Sequence, residues 1–148
     1  MMQIPTKYSQ WVDVLEMLKS GNNDNETIAV MKAGTIEWQS GVAERFLNKL
    51  IDALNARMNH ASDSFQKGIK RAGGQESLIV QELIKLRREM NFLLNVADIQ
   101  ALPDEQRSEC VQLIQEQMKK MQDSLLESAK YDRTGEILSI IRKHPICN

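Results

Sequence analysis

Residues 43–98 read AERFLNKLIDALNARMNHASDSFQKGIKRAGGQESLIVQELIKLRREMNFLLNVAD, and two helical periods run through them on either side of a Gly-Gly pair. The first period aligns Ala43, Leu47, Leu50, Leu54, Met58, Ala61, Phe65 and Ile69. Its spacing is about 3.7 residues per step, close to a straight α-helix and wider than a coiled-coil seam. Gly73 and Gly74 stop the pattern, so a helix is expected from Thr35 or Ser40 to Ala72. Gly68 falls on the same face as Leu50. There its missing side chain lets another helix approach closely, at about 1 kcal/mol in helix propensity, with a local bend as the alternative reading.

The second period runs through Ile79, Leu83, Leu86, Met90, Leu93 and Ala97 and predicts a helix from Glu76 to about Asp98. Leu78, Val80, Ile84, Phe92, Leu94 and Val96 widen its apolar stripe until it covers much of the circumference, as in a central helix. With Ile79 as zero and about 100° per residue, the core arc spans about −40° to 60°. Ile84 then falls near 140° and Phe92 near −140°, outside what a simple bundle buries. The expected cover for these two is the short terminal helices. The alternative is a partner, because contiguous exposed apolar surface marks interfaces.

Shorter patterns flank this hairpin. A first helix is expected from about Pro5 to Ser20, with Trp11, Leu15 and Leu18 on one face and Gly21 as its stop. Asp24 or Asn25 then caps a second helix that runs through Met31 and closes at Gly34. Pro103, Asp104 and Glu105 open a third long helix with the seam Val111, Ile114, Met118, Met121, Leu125 and Ala129. A break at Asp132 to Gly135 precedes a last helix carrying Ile137, Leu138, Ile140 and Ile141, ended by Pro145. Short links make neighbouring long helices antiparallel. The expected fold is all-α: an up-down helical bundle of three long antiparallel helices with short N- and C-terminal helices packed on it. Residues 1–34 read as the N-terminal short helices and 35–148 as the bundle, one compact domain overall.

At 148 residues the chain has the size of one domain with a real core. Its formal charge is −1, so it lacks the overall basic excess common in proteins that live on nucleic acid or anionic membranes. No apolar run approaches the ~20 residues that span a bilayer. Two cysteines, Cys110 and Cys147, make no disulfide framework, and Met1 to Tyr8 do not resemble a signal peptide. The expected location is the cytoplasm.

Side chains capable of chemistry are sparse and badly spaced for it. His60 and Asp63 are an i, i+3 pair, but a helical di-iron site needs Glu-x-x-His, and Arg57 and Ile141 stand three residues before the two histidines. Cys110 reads as a small core or boundary residue, whereas Cys147 follows His144 and Pro145 in a tail where a thiol could be redox-active. No serine sits in a Gly-x-Ser-x-Gly elbow, and Gly73-Gly74 lacks the Lys-Ser/Thr of a phosphate loop. No catalytic residue, metal site or cofactor is therefore expected.

Two basic clusters remain, Lys67, Lys70 and Arg71 at the end of one helix and Lys85, Arg87 and Arg88 in the next. The first lies where the helix dipole favours cations. The second spreads around its helix at about −120°, 80° and 180°, with Glu82 and Glu89 among them, which reads as solvated faces with ion pairs. The leading expectation is a non-enzymatic helical protein that binds another protein or itself, with homodimerisation possible, as an adaptor, chaperone-like or regulatory module. Ile84 and Phe92 would be its partner-binding residues. The alternative is a nucleic-acid-binding regulator using Lys67, Lys70, Arg71, Lys85 and Arg88.

Overall fold

A computed structural model describes residues 3–36, 41–129 and 135–146. The described residues form helices α1 (Tyr8–Ser20), α2 (Asp24–Ala33), α3 (Val42–Ala72), α4 (Glu76–Ala97), α5 (Asp104–Ala129) and α6 (Glu136–Lys143), with no strand among them. The expected all-helical class is what the chain adopts. It forms two compact units: unit 1 comprises Met1–Arg57 and Leu93–Ile114, and unit 2 comprises Met58–Phe92 and Gln115–Asn148. The three long helices each contribute one part to each unit.

Unit 1 is organised around Trp11. Its indole is fully buried and meets Phe46 edge-on, with ring centroids 5.5 Å apart at 80°, the geometry that the ring quadrupoles favour. Its Nε1–H donates to the Thr35 carbonyl at 3.1 Å, and the Thr35 N–H donates to the Pro5 carbonyl at 3.0 Å. Thr35 therefore belongs to an extended connection and not to the start of α3, which begins at Val42. Ser40, the other expected start, lies outside the described residues. Gly34 fits beneath this arrangement because it has no side chain: a Cβ there would stand 2.6 Å from Trp11 Cζ2 and 2.8 Å from Pro5 Cγ. Val14, Leu15, Leu18, Met31, Phe46, Leu47, Leu50 and Leu54 complete the core on the side of α1 to α3.

One charge lies inside this core. Arg57 has a side chain only 7% exposed. Its Nη1 donates to the Leu18 carbonyl at 2.8 Å and to Asp24 Oδ1 at 3.0 Å, and its Nη2 donates to Asp24 Oδ2 at 2.8 Å. The Leu18 carbonyl belongs to the last turn of α1, where acceptors lack intrahelical donors. Asp24 is the first residue of α2. Sequence reading places Asp24 or Asn25 as the α2 cap. Asn23 occupies that position without a side-chain cap bond, and the Asp24 carboxylate accepts from the guanidinium instead.

The α4–α5 connection closes unit 1 from another direction. Ile99 and Leu102 are buried within it. Arg107 holds its outer side through Gln100 Oε1 at 2.9 Å, Asp104 Oδ1 at 2.7 Å and Asp98 Oδ1 at 3.6 Å.

Unit 2 buries Met58, Phe65 and Ala72 of α3, Ile79, Leu83, Leu86 and Met90 of α4, Met118 of α5, and Ile140, Ile141 and Ile146 at the C-terminal end. Gly73 and Gly74, at φ 57° and 82°, take the left-handed turn between α3 and α4 that a side chain would resist. Beyond that turn Gly68 lies against the Glu82 side chain, whose Cγ would be 2.9 Å from a Cβ on Gly68. The close approach expected at Gly68 is thus made by a glutamate stem. The segment after α6 is tied down by the Ile146 N–H, which donates to Gln122 Oε1 at 3.0 Å.

Because Arg57 is buried and Asp24 is 31% exposed, the two partners are unequal. Asp24→Ala removes the carboxylate that accepts from both terminal nitrogens of a desolvated guanidinium, and should cost about 2–3 kcal/mol after discounting a buried pair for that exposure. Arg57→Met removes the buried charge and keeps the stem, and should cost about 1 kcal/mol through the stranded Leu18 carbonyl. Urea midpoints of the two variants check this order; Arg57→Met being the more damaging would contradict it.

Candidate interaction surface

The outer face of α4 is built by exclusion. Ile79, Leu83, Leu86, Met90, Leu93, Val96 and Ala97 are all buried, so the helix turns one side inward along its length. The opposite line, Ser77, Gln81, Ile84, Arg88, Asn91 and Asn95, is exposed at every position. Ile84 sits in the middle of it with 41% of its surface open, between Gln81 and Arg88 on adjacent turns. Leu78, at 37% exposure, is the other large apolar residue of α4 that remains in solvent. Cover by the terminal helices, the arrangement expected from the sequence, is not what Ile84 has. Phe92 is half-buried.

The basic residues fall into two environments. Lys67, Lys70 and Arg71 are exposed in the last two turns of α3, and Arg71 Nε donates back to the Lys67 carbonyl of its own helix at 3.4 Å. Lys85 is paired with Glu82 at 3.3 Å, the i, i+3 ion pair that the charge pattern implied. Because Glu82 also packs against Gly68, this carboxylate stands between the end of α3 and Lys85. Arg87 and Arg88 are exposed. The alternative nucleic-acid set is therefore interrupted by an acid and does not make one continuous stripe.

Groups that catalysis or metal binding would need are dispersed. His60 and Asp63 are exposed and His144 is half-buried. Among the described residues no three His, Cys, Asp or Glu side chains gather as a metal site. A groove lined by Val12, Leu15, Glu16, Lys19, Lys49, Asp52 and Ala53 encloses about 120 Å³, below the roughly 300–1,000 Å³ of small-molecule sites. Among the described residues no helix is long and apolar enough to cross a membrane.

Cys110 is a free thiol and fully buried, in keeping with the core role its sequence position suggested. Burial, and then the charge of Glu109, push its pKa up from 9.0 to about 12. It is therefore a poor nucleophile at neutral pH. Cys147 lies outside the described residues. Arg57 is the residue that sequence reading missed. It occupies about −20° on the α3 face measured from Leu50, inside the apolar stripe, and a charge at such a phase signals a buried partner.

No family model, curated protein or solved structure matches this chain.

The raised thiol pKa carries a pH dependence of definite sign. Well below pH 9.0 the thiol is neutral in both folded and unfolded chains and contributes no slope. Between pH 9.0 and about 12 the unfolded chain ionises first, so stability falls as pH rises through that window. Cys110→Ala should be less stable at pH 8 because of the cavity it leaves, by about 1 kcal/mol. It should also lose less stability than the unsubstituted protein between about pH 9 and 11. Urea midpoints against pH measure both slopes, and parallel slopes would contradict burial of the thiol.

Proposed function

We propose that this protein acts without catalysis, in the cytoplasm, by binding a protein partner or a second copy of itself through the outer face of α4, as an adaptor, chaperone-like or regulatory module. The observation that carries this reading is Ile84, 41% exposed in the centre of a helix face whose opposite side is wholly buried. The part of a large aliphatic side chain left open on a regular helix contributes its burial energy only when a partner excludes water from it. Arg88 one turn away and Arg87 beside it supply the polar rim that surrounds such anchors, and arginine is favoured at interfaces. Phe92 extends the same side of the helix from a half-buried position.

The nucleic-acid reading through Lys67, Lys70, Arg71, Lys85 and Arg88 has less support. Lys85 is neutralised by Glu82, and each phosphate contact needs an available cation.

Replacing Ile84 by a photo-crosslinking amino acid in the native cell tests the reading. Irradiation should yield a discrete protein adduct from position 84, and none from Lys32 of α2, an exposed residue of unit 1. Adducts to nucleic acid alone, or equal labelling from both positions, would contradict it.

A further inference from the structure

The net charge of −1 conceals a division of charge along the chain. Unit 2 carries 12 Lys and Arg against 9 Asp and Glu, whereas unit 1 carries 7 against 11. The protein is thus a near-neutral molecule made of one basic and one acidic unit.

The division is sharpest on the surface already singled out. From Arg87 at about 80°, through Asn91, Ile84, Arg88, Gln81 and Phe92, to Lys85 at about −120° and Leu78 at about −100°, the outward arc of α4 has no Asp or Glu. The acids of this helix, Glu76, Glu82 and Glu89, fall at about 60°, −60° and −80°, along the edges of the core arc. Arg87 and Arg88 are exposed, and no ion pair joins either to another described residue. Lys85 at the edge of the arc is paired with Glu82, so the face presents an open aliphatic centre with Arg87 and Arg88 as its available cations, and its complement is a surface with acids in excess.

Such a surface exists on the same chain. In Leu93–Ile114 of unit 1, Asp98, Asp104, Glu105 and Glu109 are all exposed. The single cation of that segment, Arg107, is already held by Asp98 and Asp104. Glu105 and Glu109 are one turn apart on α5 and lie outside that network.

We propose that the occupant of the α4 outer face is a second copy of this chain, in a two-fold pair where the basic unit of each copy meets the acidic unit of the other. The proposal rests on the protein-binding reading of that face and adds the identity of the partner. A two-fold operator makes every contact twice, so in such a pair the contact between the α4 face of one copy and the acidic segment of the other is made twice. Burial of Ile84 supplies affinity, while the charges set orientation and speed of encounter and make the pairing sensitive to salt.

Sedimentation equilibrium on charge-swapped proteins tests this. The unsubstituted protein should form a dimer at micromolar concentration in low salt, weakened about tenfold or more in high salt. Arg87→Glu with Arg88→Glu in one protein, and Glu105→Lys with Glu109→Lys in another, should each be monomeric. Mixing the two should restore a heterodimer, because both of its contacts then join opposite charges. A monomeric unsubstituted protein, a dimer indifferent to either swap, or a mixture that fails to pair would overturn the proposal. Unsubstituted protein that binds mixed-sequence DNA or RNA in low salt, and loses that binding in Arg88→Glu, would also overturn it in favour of a polyanion. A monomer that still gives a single adduct to another protein from position 84 removes the second copy alone and leaves the protein-binding reading intact. Absence of both removes that reading as well.

Discussion

Arg57 puts a guanidinium in the middle of the apolar stripe of α3, and the chain before it is arranged around that charge. A charged side chain can leave water only if its donors meet acceptors and its charge meets a counter-charge. The end of α1 supplies the Leu18 carbonyl and the start of α2 supplies both oxygens of Asp24. These are groups that helix termini leave without intrahelical partners or place at the positive end of a dipole. One side chain thereby selects where the α1–α2 turn meets α3, and Trp11, Leu18 and Met31 bury themselves in the position that results. Apolar area supplies most of the driving force, since it is non-directional. The ion pair supplies direction, because a shift of one helical turn would leave a charge buried and unpaired.

Unit 2 has a different character. Its core is aliphatic and sulfur-rich, drawn from α3, α4, α5 and α6, and no buried side-chain polar atom among the described residues lacks a partner. Nothing in that packing requires α4 to carry Leu78 and Ile84 on its solvent side. Helix propensity does not require it either, because isoleucine is a poorer helix former than the Gln, Glu or Lys that would serve there. The exposed part of Ile84, with Arg88 one turn away, is what the proposed recognition outside the chain would use.

The helices were legible because their periods are long and their stops are glycines and prolines. Every member of the α4 core line from Ile79 to Ala97 is buried, as is the stretch of the α3 line from Leu47 to Met58. What escaped the sequence were choices between partners. Asp24 has the chemistry of a cap and of an ion-pair acceptor, and only the position of Arg57, 33 residues later in the chain, decides between them. Thr35 could begin a helix by composition, but its backbone is taken by Trp11 and Pro5. Ile84 could be covered or open, and periodicity gives its phase without saying what lies opposite. The surplus on α4 was visible in its residues, whereas its exposure became visible only once the rest of the chain had been placed.

If a second copy of this chain covers the outer face of α4, as proposed, the exposure of Ile84 and Leu78 depends on protein concentration. Hydroxyl-radical footprinting over a range of protein concentration in low salt tests it residue by residue, since Leu and Ile side chains are oxidised in proportion to their access to solvent. Ile84 and Leu78 should react readily in dilute protein and become protected, relative to the rest of the chain, as concentration rises. Equal oxidation of Ile84 at every concentration would contradict it.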